Sequence, residues 1–84
     1  MATTTITLSA TAWVLVSAAG SGTLENQTSQ IVLYRTDAAL PAPSVTVGHR
    51  LGREQREAWS FDPAQNLYAR LALPGTGMLV VTEG

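Results

Sequence analysis

His49 is the only imidazole in the sequence, and imidazole is the side chain that most often serves as a catalytic base. It lies between Gly48 and Arg50, and no Gly-x-Ser-x-Gly segment presents a serine nucleophile. A hydrolytic triad needs a nucleophile, a base and an acid within hydrogen-bonding reach of one another. The sequence shows no recognisable arrangement of these three groups, and we predict that the chain is not an enzyme.

The acidic residues do not form a pair suited to cleaving glycosidic bonds. Glu54 and Glu57 are the closest pair in the charged segment, and they lie among Arg53 and Arg56. Neighbouring guanidinium groups favour the ionised carboxylate, whereas the general acid of a glycosidase must stay protonated. Ion pairing is therefore the function that we predict for these glutamates.

Histidine, cysteine and lysine, which build zinc sites and phosphate-binding loops, are nearly absent from the sequence. The chain has one histidine and no cysteine, whereas a structural zinc site needs several nitrogen or sulfur ligands. All five basic residues are arginines, so the lysine of a phosphate-binding loop is also missing. We expect no metal and no other cofactor.

Charged residues are sparse and nearly balanced. Five arginines oppose six acidic residues, and only 13% of the 84 residues are charged, against about 25% in an ordinary globular protein. Nucleic acid would therefore meet no positive field, whereas a surface poor in charge suits contact with other protein. We predict a homo-oligomer that binds no nucleic acid; a monomer kept soluble by its hydroxyl groups is the alternative.

No segment has the length of a membrane anchor. The apolar stretch at residues 12–19 is interrupted by Ser17 and is far shorter than the ~20 residues of a membrane-spanning helix. The residues before it include no lysine or arginine, unlike the start of a secretory signal. We predict no contact with a membrane.

Short β-prone segments alternate with glycine, proline and asparagine along the whole chain. We predict an all-β fold, a small antiparallel β-sandwich or β-barrel of about six to eight short strands, as a single domain over residues 1–84. The predicted strands cover residues 3–8, 12–16, 23–28, 30–36, 44–47, 58–61, 67–73 and 78–82.

Two connections predict tight pairing of the strands that they join. Turn residues around 26–29 join strand 23–28 to strand 30–36, and residues 74–77 turn the chain back into a hairpin. Residues 67–73 alternate strictly, which predicts a half-buried strand. Pro41 and Pro43 predict a loop or an edge at residues 37–43.

The segment from His49 to Glu57 is the only charge-dense part of the chain. Arg53 and Glu57 have the spacing of a helical ion pair, which contributes only about 0.2–0.5 kcal/mol. Gly52 and the apolar residues 58–61 instead favour a turn that leads into a strand. We predict the turn and strand.

Three arginines in this segment, Arg50, Arg53 and Arg56, are candidates for contact with a partner. Guanidinium groups bind carboxylates in bidentate fashion and are enriched at interfaces, so the arginines could bind an acidic patch on another protein. The alternative is that they pair with Glu54 and Glu57 on a solvated loop. Both interpretations stay open at the level of the sequence.

Trp59 and Phe61 lie two residues apart and therefore share one face of a strand. This arrangement fits the interior of a sandwich or a contact between subunits, and Trp59 is a candidate partner residue. Stacking on a sugar or on a single-stranded nucleic acid is the alternative use of the aromatic residues.

The first eight residues are an extended N-terminal arm or the first strand of the domain. Ile6 and Leu8 fall on one side of the threonine-rich segment. As an arm, the segment would add a strand to a neighbour's sheet and place Ile6 and Leu8 in pockets there. As a first strand, it would complete the chain's own sheet.

Several segments, taken in order, resemble one class of proteins. They are the run Trp13-Val14-Leu15-Val16, the turn Gly20-Ser21-Gly22, the polar Asn26-Gln27-Thr28-Ser29, the step Leu67-Tyr68-Ala69-Arg70 and the strand Leu79-Val80-Val81-Thr82-Glu83. Together they are similar to small tailed-bacteriophage virion proteins of the capsid decoration (cement) and head-fibre type.

The resemblance implies a β-sandwich or β-barrel subunit, commonly a homotrimer, on the outer surface of an icosahedral capsid. We therefore expect a structural virion protein that is made in the host cytoplasm, binds the major capsid protein and stabilises contacts between capsomers. The alternative is a carbohydrate- or receptor-binding module of a phage tail or fibre, with Trp13 or Trp59 as its sugar platform.

Overall fold

The computed structural model describes residues 2–84, which form eight β-strands and no helix. The strands are β1 (Thr3–Ser9), β2 (Val14–Ser17), β3 (Ser21–Asn26), β4 (Val32–Thr36), β5 (His49–Leu51), β6 (Arg56–Ser60), β7 (Leu67–Leu71) and β8 (Thr76–Glu83). Two four-stranded sheets pack together as a small β-sandwich. The predicted all-β class and strand number are confirmed.

The chain crosses between the two sheets at nearly every connection. Sheet A has the strand order β1-β8-β3-β6, and sheet B has the order β2-β7-β4-β5. All neighbours within both sheets are antiparallel. Within residues 2–84, only β4 and β5 follow each other in sequence and also pair, which gives one hairpin in this part of the chain.

Both tight pairings predicted from turn residues are wrong. Strands β3 and β4 lie in different sheets, and so do β7 and β8. The side chain of Gln30 replaces the missing hairpin partner: it accepts a hydrogen bond from the Leu73 amide at 2.6 Å and donates one to the Leu73 carbonyl at 2.8 Å. The backbone between β7 and β8 is thus satisfied while it crosses to the other sheet.

Residues 37–48 form one long connection, and the short strand predicted at residues 44–47 is wrong. The predicted loop at residues 37–43 is present, but it continues to Gly48. The turn and the following strand predicted at the charged segment are present, although the strand, β6, already begins at Arg56. Strand β5 precedes the turn and was not predicted. Glu54 in that turn has a φ of 62°, a left-handed conformation that few residues other than glycine adopt.

The alternating apolar residues meet between the sheets and form the core. Its buried members are Leu8, Val16, Leu24, Val32, Leu51, Trp59, Leu67, Ala69, Leu71, Leu79 and Val81. Trp59 fits only because the residue opposite it is Gly22: a Cβ there would lie 2.5 Å from Cη2 of the indole. The aromatic ring of β6 therefore depends on a glycine in β3.

Strand β7 is buried on both faces, which corrects the prediction of a half-buried strand. Leu67, Ala69 and Leu71 face the core, as the alternation requires. Tyr68 and Arg70 face outward, yet they are also buried because residues 37–48 lie over them. A second cluster on this outer side joins Tyr68 to Trp13 and Leu33.

Candidate functional site

The outer face of sheet A carries a broad array of short side chains. In one row across all four strands, Thr3, Thr82, Thr23 and Ala58 lie side by side. The hydroxyls of Thr3 and Thr82 are 2.7 Å apart, as expected for neighbours on one face. The other outward positions of sheet A complete this surface, which we call the threonine face: Thr5, Thr7, Ser9, Ser21, Glu25, Arg56, Ser60, Thr76, Met78 and Val80.

The threonine face is nearly free of charge. Its second row places Thr5, Val80, Glu25 and Arg56 beside one another, so both charges lie toward β6. The carboxylate of Glu25 accepts a hydrogen bond from the side chain of Gln27 at 3.0 Å. The rest of the face offers hydroxyl and apolar groups, which can be desolvated at lower cost than charges.

The outer face of sheet B is covered by residues 37–48, and we call it the covered face. Arg70 holds this segment down: its guanidinium donates to the carbonyls of Pro43 at 2.7 Å and Val45 at 3.1 Å, and also to the carbonyl of Ala10. Arg70 is 7% exposed. A buried guanidinium with three carbonyl acceptors is satisfied without a carboxylate.

Trp13 and Arg35 complete the attachment of this segment. The indole NH of Trp13 donates to the carbonyl of Val45 at 2.8 Å, and Arg35 donates to the carbonyl of Val47 at 2.9 Å. The guanidinium carbons of Arg35 and Arg70 lie 5.9 and 5.6 Å from the centre of the indole ring, within cation–π range. Three side chains of the covered face therefore fix one loop.

A buried asparagine joins the two sheets at the turn between β5 and β6. The side-chain amide of Asn26 donates to the carbonyls of Gln30 at 2.7 Å and Leu51 at 2.9 Å, and its carbonyl accepts from the Thr28 amide at 2.8 Å. Its backbone NH donates to the carbonyl of Gln55 at 2.9 Å. At this end of the sandwich, Asn26 therefore links β3 of sheet A to β5 of sheet B.

Away from the turn that Asn26 holds, the edge strands β5 and β6 leave a cleft of about 750 Å³ between them. Aromatic rings line both sides: Tyr34 comes from sheet B, Trp59 comes from sheet A, and Phe61 directly follows β6. The rings of Tyr34 and His49 lie 5.4 Å apart, centre to centre, at a tilt of 35°. The cleft is thus a hollow in which aromatic and polar residues of both sheets meet.

Burial and a neighbouring carboxylate both raise the pKa of one phenol in the cleft. Burial, and secondarily the negative charge of Glu57, raise the pKa of Tyr34 above its usual range. Glu57, His49 and Ser60 all line the cleft, but no hydrogen bond within residues 2–84 joins any two of these side chains. The three groups do not form the hydrogen-bonded relay that nucleophilic catalysis requires.

The three arginines predicted to contact a partner do not form one cluster. Arg50 pairs with Leu33 on the covered face, Arg56 lies on the threonine face, and Arg53 lies in the turn between them. All three are exposed. Neither Glu54 nor Glu57 lies within ion-pairing distance of any of them in the described chain, where the one salt bridge joins Arg35 and Asp37. The predicted pairing with these glutamates is therefore wrong.

The three apolar candidates for partner contact lie in the core or at its margin. Leu8 is 0% exposed and Trp59 is 7% exposed, so neither can reach a partner in this fold. Ile6 is half-buried and packs against the same core. Ile6 and Leu8 are positioned by the pairing of β1 with β8 of the same chain, which extends from Thr3 to Ser9. Thr3–Ser9 is thus a strand of the chain's own sheet.

Sequence reasoning missed the two residues that hold the loops, Arg70 and Asn26. Arg70 occupies an outward position in an alternating strand, so the pattern alone indicates a solvated side chain. A signal was present in Trp13 and Tyr68, because large aromatic residues at outward positions need a cover. Asn26 was interpreted only as turn chemistry, although it ends a strand of buried residues.

Comparisons with known proteins do not assign the chain to a family. No family profile matches it, and no curated protein or solved structure is significantly similar to it. Within residues 2–84, no cluster of three or more acidic or histidine side chains could hold a metal ion. The same residues contain no helix with the length and hydropathy needed to cross a membrane.

Proposed function

We propose that this chain is a structural subunit that binds a larger protein shell, as a decoration protein on a tailed-phage capsid does. The observation that carries the proposal is the threonine face, which is broad, nearly uncharged and free of any covering segment within the described residues. Such a face suits contact with protein, because little charge has to be desolvated.

Multivalency supports the same proposal. A sandwich of 32 × 25 × 17 Å has room for only a modest interface on one face. An oligomer that engages several capsomers at once multiplies such weak contacts, because every contact after the first is intramolecular. The proposed partners are further copies of the chain and the major capsid protein, and the proposed location is the outer surface of the virion.

The direct test is binding to capsids that lack the protein, prepared from the phage that encodes it. We expect the chain to sediment with these particles and to appear as added density outside the shell in electron micrographs. We also expect the decorated particles to resist heat better than bare ones. Failure to bind at micromolar concentration, or density inside the head or on the tail, would contradict the proposal.

A pair of matched variants identifies the binding surface. Thr23→Lys places a charge at the centre of the threonine face, whereas Leu40→Lys places the same charge on the exposed loop over the covered face. We expect Thr23→Lys to weaken capsid binding by about tenfold or more and Leu40→Lys to leave it unchanged, since an unpaired charge is costly to desolvate. Equal binding by both variants would exclude the threonine face.

The cleft supports a second candidate function, a carbohydrate- or receptor-binding module. The rings that a ligand could reach there include half-buried Tyr34 and exposed His49 but not Trp59, which is buried against Gly22. A sugar would have to stack on Tyr34 or His49 at the mouth of the cleft. Binding to a glycan array that Tyr34→Ala abolishes, together with no binding to capsids, would favour this function over the first.

A further inference from the structure

The sandwich has four edge strands, and three of them carry features that prevent pairing with another chain. Strand β5 has only three residues, and β2 has four with a register shift between Leu15 and Ser17. Strand β6 carries Arg56 and Glu57 within its five residues. Short length, irregular pairing and charge are the usual protections of a sheet edge.

Strand β1 lacks all of these protections. It has seven residues, from Thr3 to Ser9, with no charge and no proline. It pairs with β8 residue by residue without a register shift. Four of its seven residues are threonine, and threonine and isoleucine are strong strand formers. Among the edge strands of residues 2–84, β1 is therefore the longest, and it combines regular pairing with an absence of charge.

The backbone of β1 has NH and carbonyl groups that can form hydrogen bonds to a second strand. In an antiparallel pair, every second residue directs its NH and carbonyl away from the partner strand. Outside the strand ladders, no backbone hydrogen bond within residues 2–84 involves any residue of β1. The outward groups therefore face solvent, and an added strand would find them unoccupied.

We infer that β1 pairs antiparallel with β1 of a second copy of the chain, so that the two A sheets join into one sheet of eight strands. A two-fold axis gives each copy the same contact, which is the commonest symmetry of homo-oligomers. The absence of charge in β1 removes repulsion between the identical strands. Ile6, which is half-buried at the edge, gains cover from the partner strand.

The pairing has a geometric consequence for the outer surface. The two threonine faces become neighbours in one continuous sheet, which doubles the uncharged surface on one side of the assembly. The inference concerns contacts between copies and does not depend on the proposed capsid. Its test uses the purified chain alone, so its failure is distinguishable from failure to bind a shell.

The test begins with the mass of the purified chain in solution, measured by sedimentation equilibrium from micromolar to millimolar concentration. We expect the mass to rise to twice that of the monomer. Hydrogen exchange on the unmodified chain should then show that amides of Thr3–Ser9 become protected as the dimer forms. A monomer at every concentration, a trimer, or protection confined to another edge would overturn the inference.

Matched double variants distinguish the edge from the face. Thr5→Lys/Thr7→Lys places like charges opposite each other across a two-fold centred on Ile6, and it should raise the dissociation constant by at least about tenfold. Thr23→Lys/Ser60→Lys adds the same charge to the same face away from β1 and should leave dimerisation unchanged. Equal dissociation of both variants would assign the contact to the face and overturn the edge pairing.

Discussion

The covered face and the threonine face are the two outer surfaces of one sandwich, and they differ in side-chain size. On the covered face, Trp13, Leu33 and Tyr68 lie beneath residues 37–48, which arginines hold in place. On the threonine face most outward residues are short, and no segment of the described chain lies over them. Large apolar groups require a cover, whereas threonines can remain in water or meet another protein.

The largest expected effect tests whether Arg70 holds the cover. Arg70→Met keeps an unbranched side chain of similar length but removes the hydrogen bonds to the carbonyls of Pro43, Val45 and Ala10, of which Val45 keeps the indole NH of Trp13 as a donor. We expect the free energy of unfolding to fall by about 3 kcal/mol, because three hydrogen bonds from a charged donor are lost and two part-buried carbonyls lose the donor that Arg70 supplied. Urea unfolding followed by tryptophan fluorescence measures the change.

The matched control for this variant lies on the opposite face. Thr23→Val changes an exposed outward residue of β3, and we expect its unfolding free energy to stay within about 0.5 kcal/mol of the wild type. Similar losses of unfolding free energy from Arg70→Met and Thr23→Val would contradict a covered face that is stabilised by its loop and a threonine face that is not.

A smaller effect is expected at the indole that contacts the same loop. Trp13→Phe removes the hydrogen bond to Val45 and part of the ring that lies against Arg35 and Arg70. We expect a loss of about 1.5 kcal/mol. Amide exchange in residues 38–48 should accelerate while exchange in β3 and β8 stays slow, and uniform acceleration across the chain would contradict local attachment.

The turn between β5 and β6 belongs to neither face, and we expect a substitution there to raise the free energy of unfolding instead of lowering it. Glu54 has a φ of 62°, so Glu54→Gly should stabilise the fold by about 0.5–1 kcal/mol through relief of backbone strain. Arg53→Gly is the control, because Arg53 has no positive φ and glycine there only adds freedom to the unfolded chain. Thermal unfolding should therefore move in opposite directions for the two variants.

The smallest expected effect concerns alkaline pH at the cleft. The pKa of Tyr34 is raised in the folded state, so the folded chain keeps this proton at a pH at which the unfolded chain has begun to lose it. Its contribution to stability is fully present below about pH 10, the ordinary tyrosine pKa, and is lost as pH rises above it. Unfolding curves from pH 8 to 11 should show a decline that Tyr34→Phe reduces.

Most strands were predictable because their periodicity is local, but their partners were not. Strand β5 was not predicted, because three residues are too few to show a period. The alternation in residues 67–71 identifies β7, but the burial of Arg70 depends on carbonyls contributed 25 or more residues earlier. The turn after β7 was also visible, yet its direction depends on the side chain of Gln30. Turn residues indicate where a strand ends and do not indicate which sheet the chain enters next.

The candidate surfaces show the same limit. The row of Thr3, Thr82 and Thr23 joins residues from both ends of the chain, and no spacing in the sequence reveals it. Arg50 and Arg56 are close in sequence, but the turn between them sends each to a different outer face. Proximity in sequence therefore indicated a cluster that the fold separates.

The order of strands in sheet A also constrains how the chain acquires its structure during synthesis. Strand β8 lies between β1 and β3, although it is the last of the eight strands to be made. Until Thr76–Glu83 has left the ribosome, β1 has no neighbour, and β3 can pair only with β6. Folding should therefore be delayed and then abrupt, with few stable partial structures, as expected of a topology dominated by distant pairings.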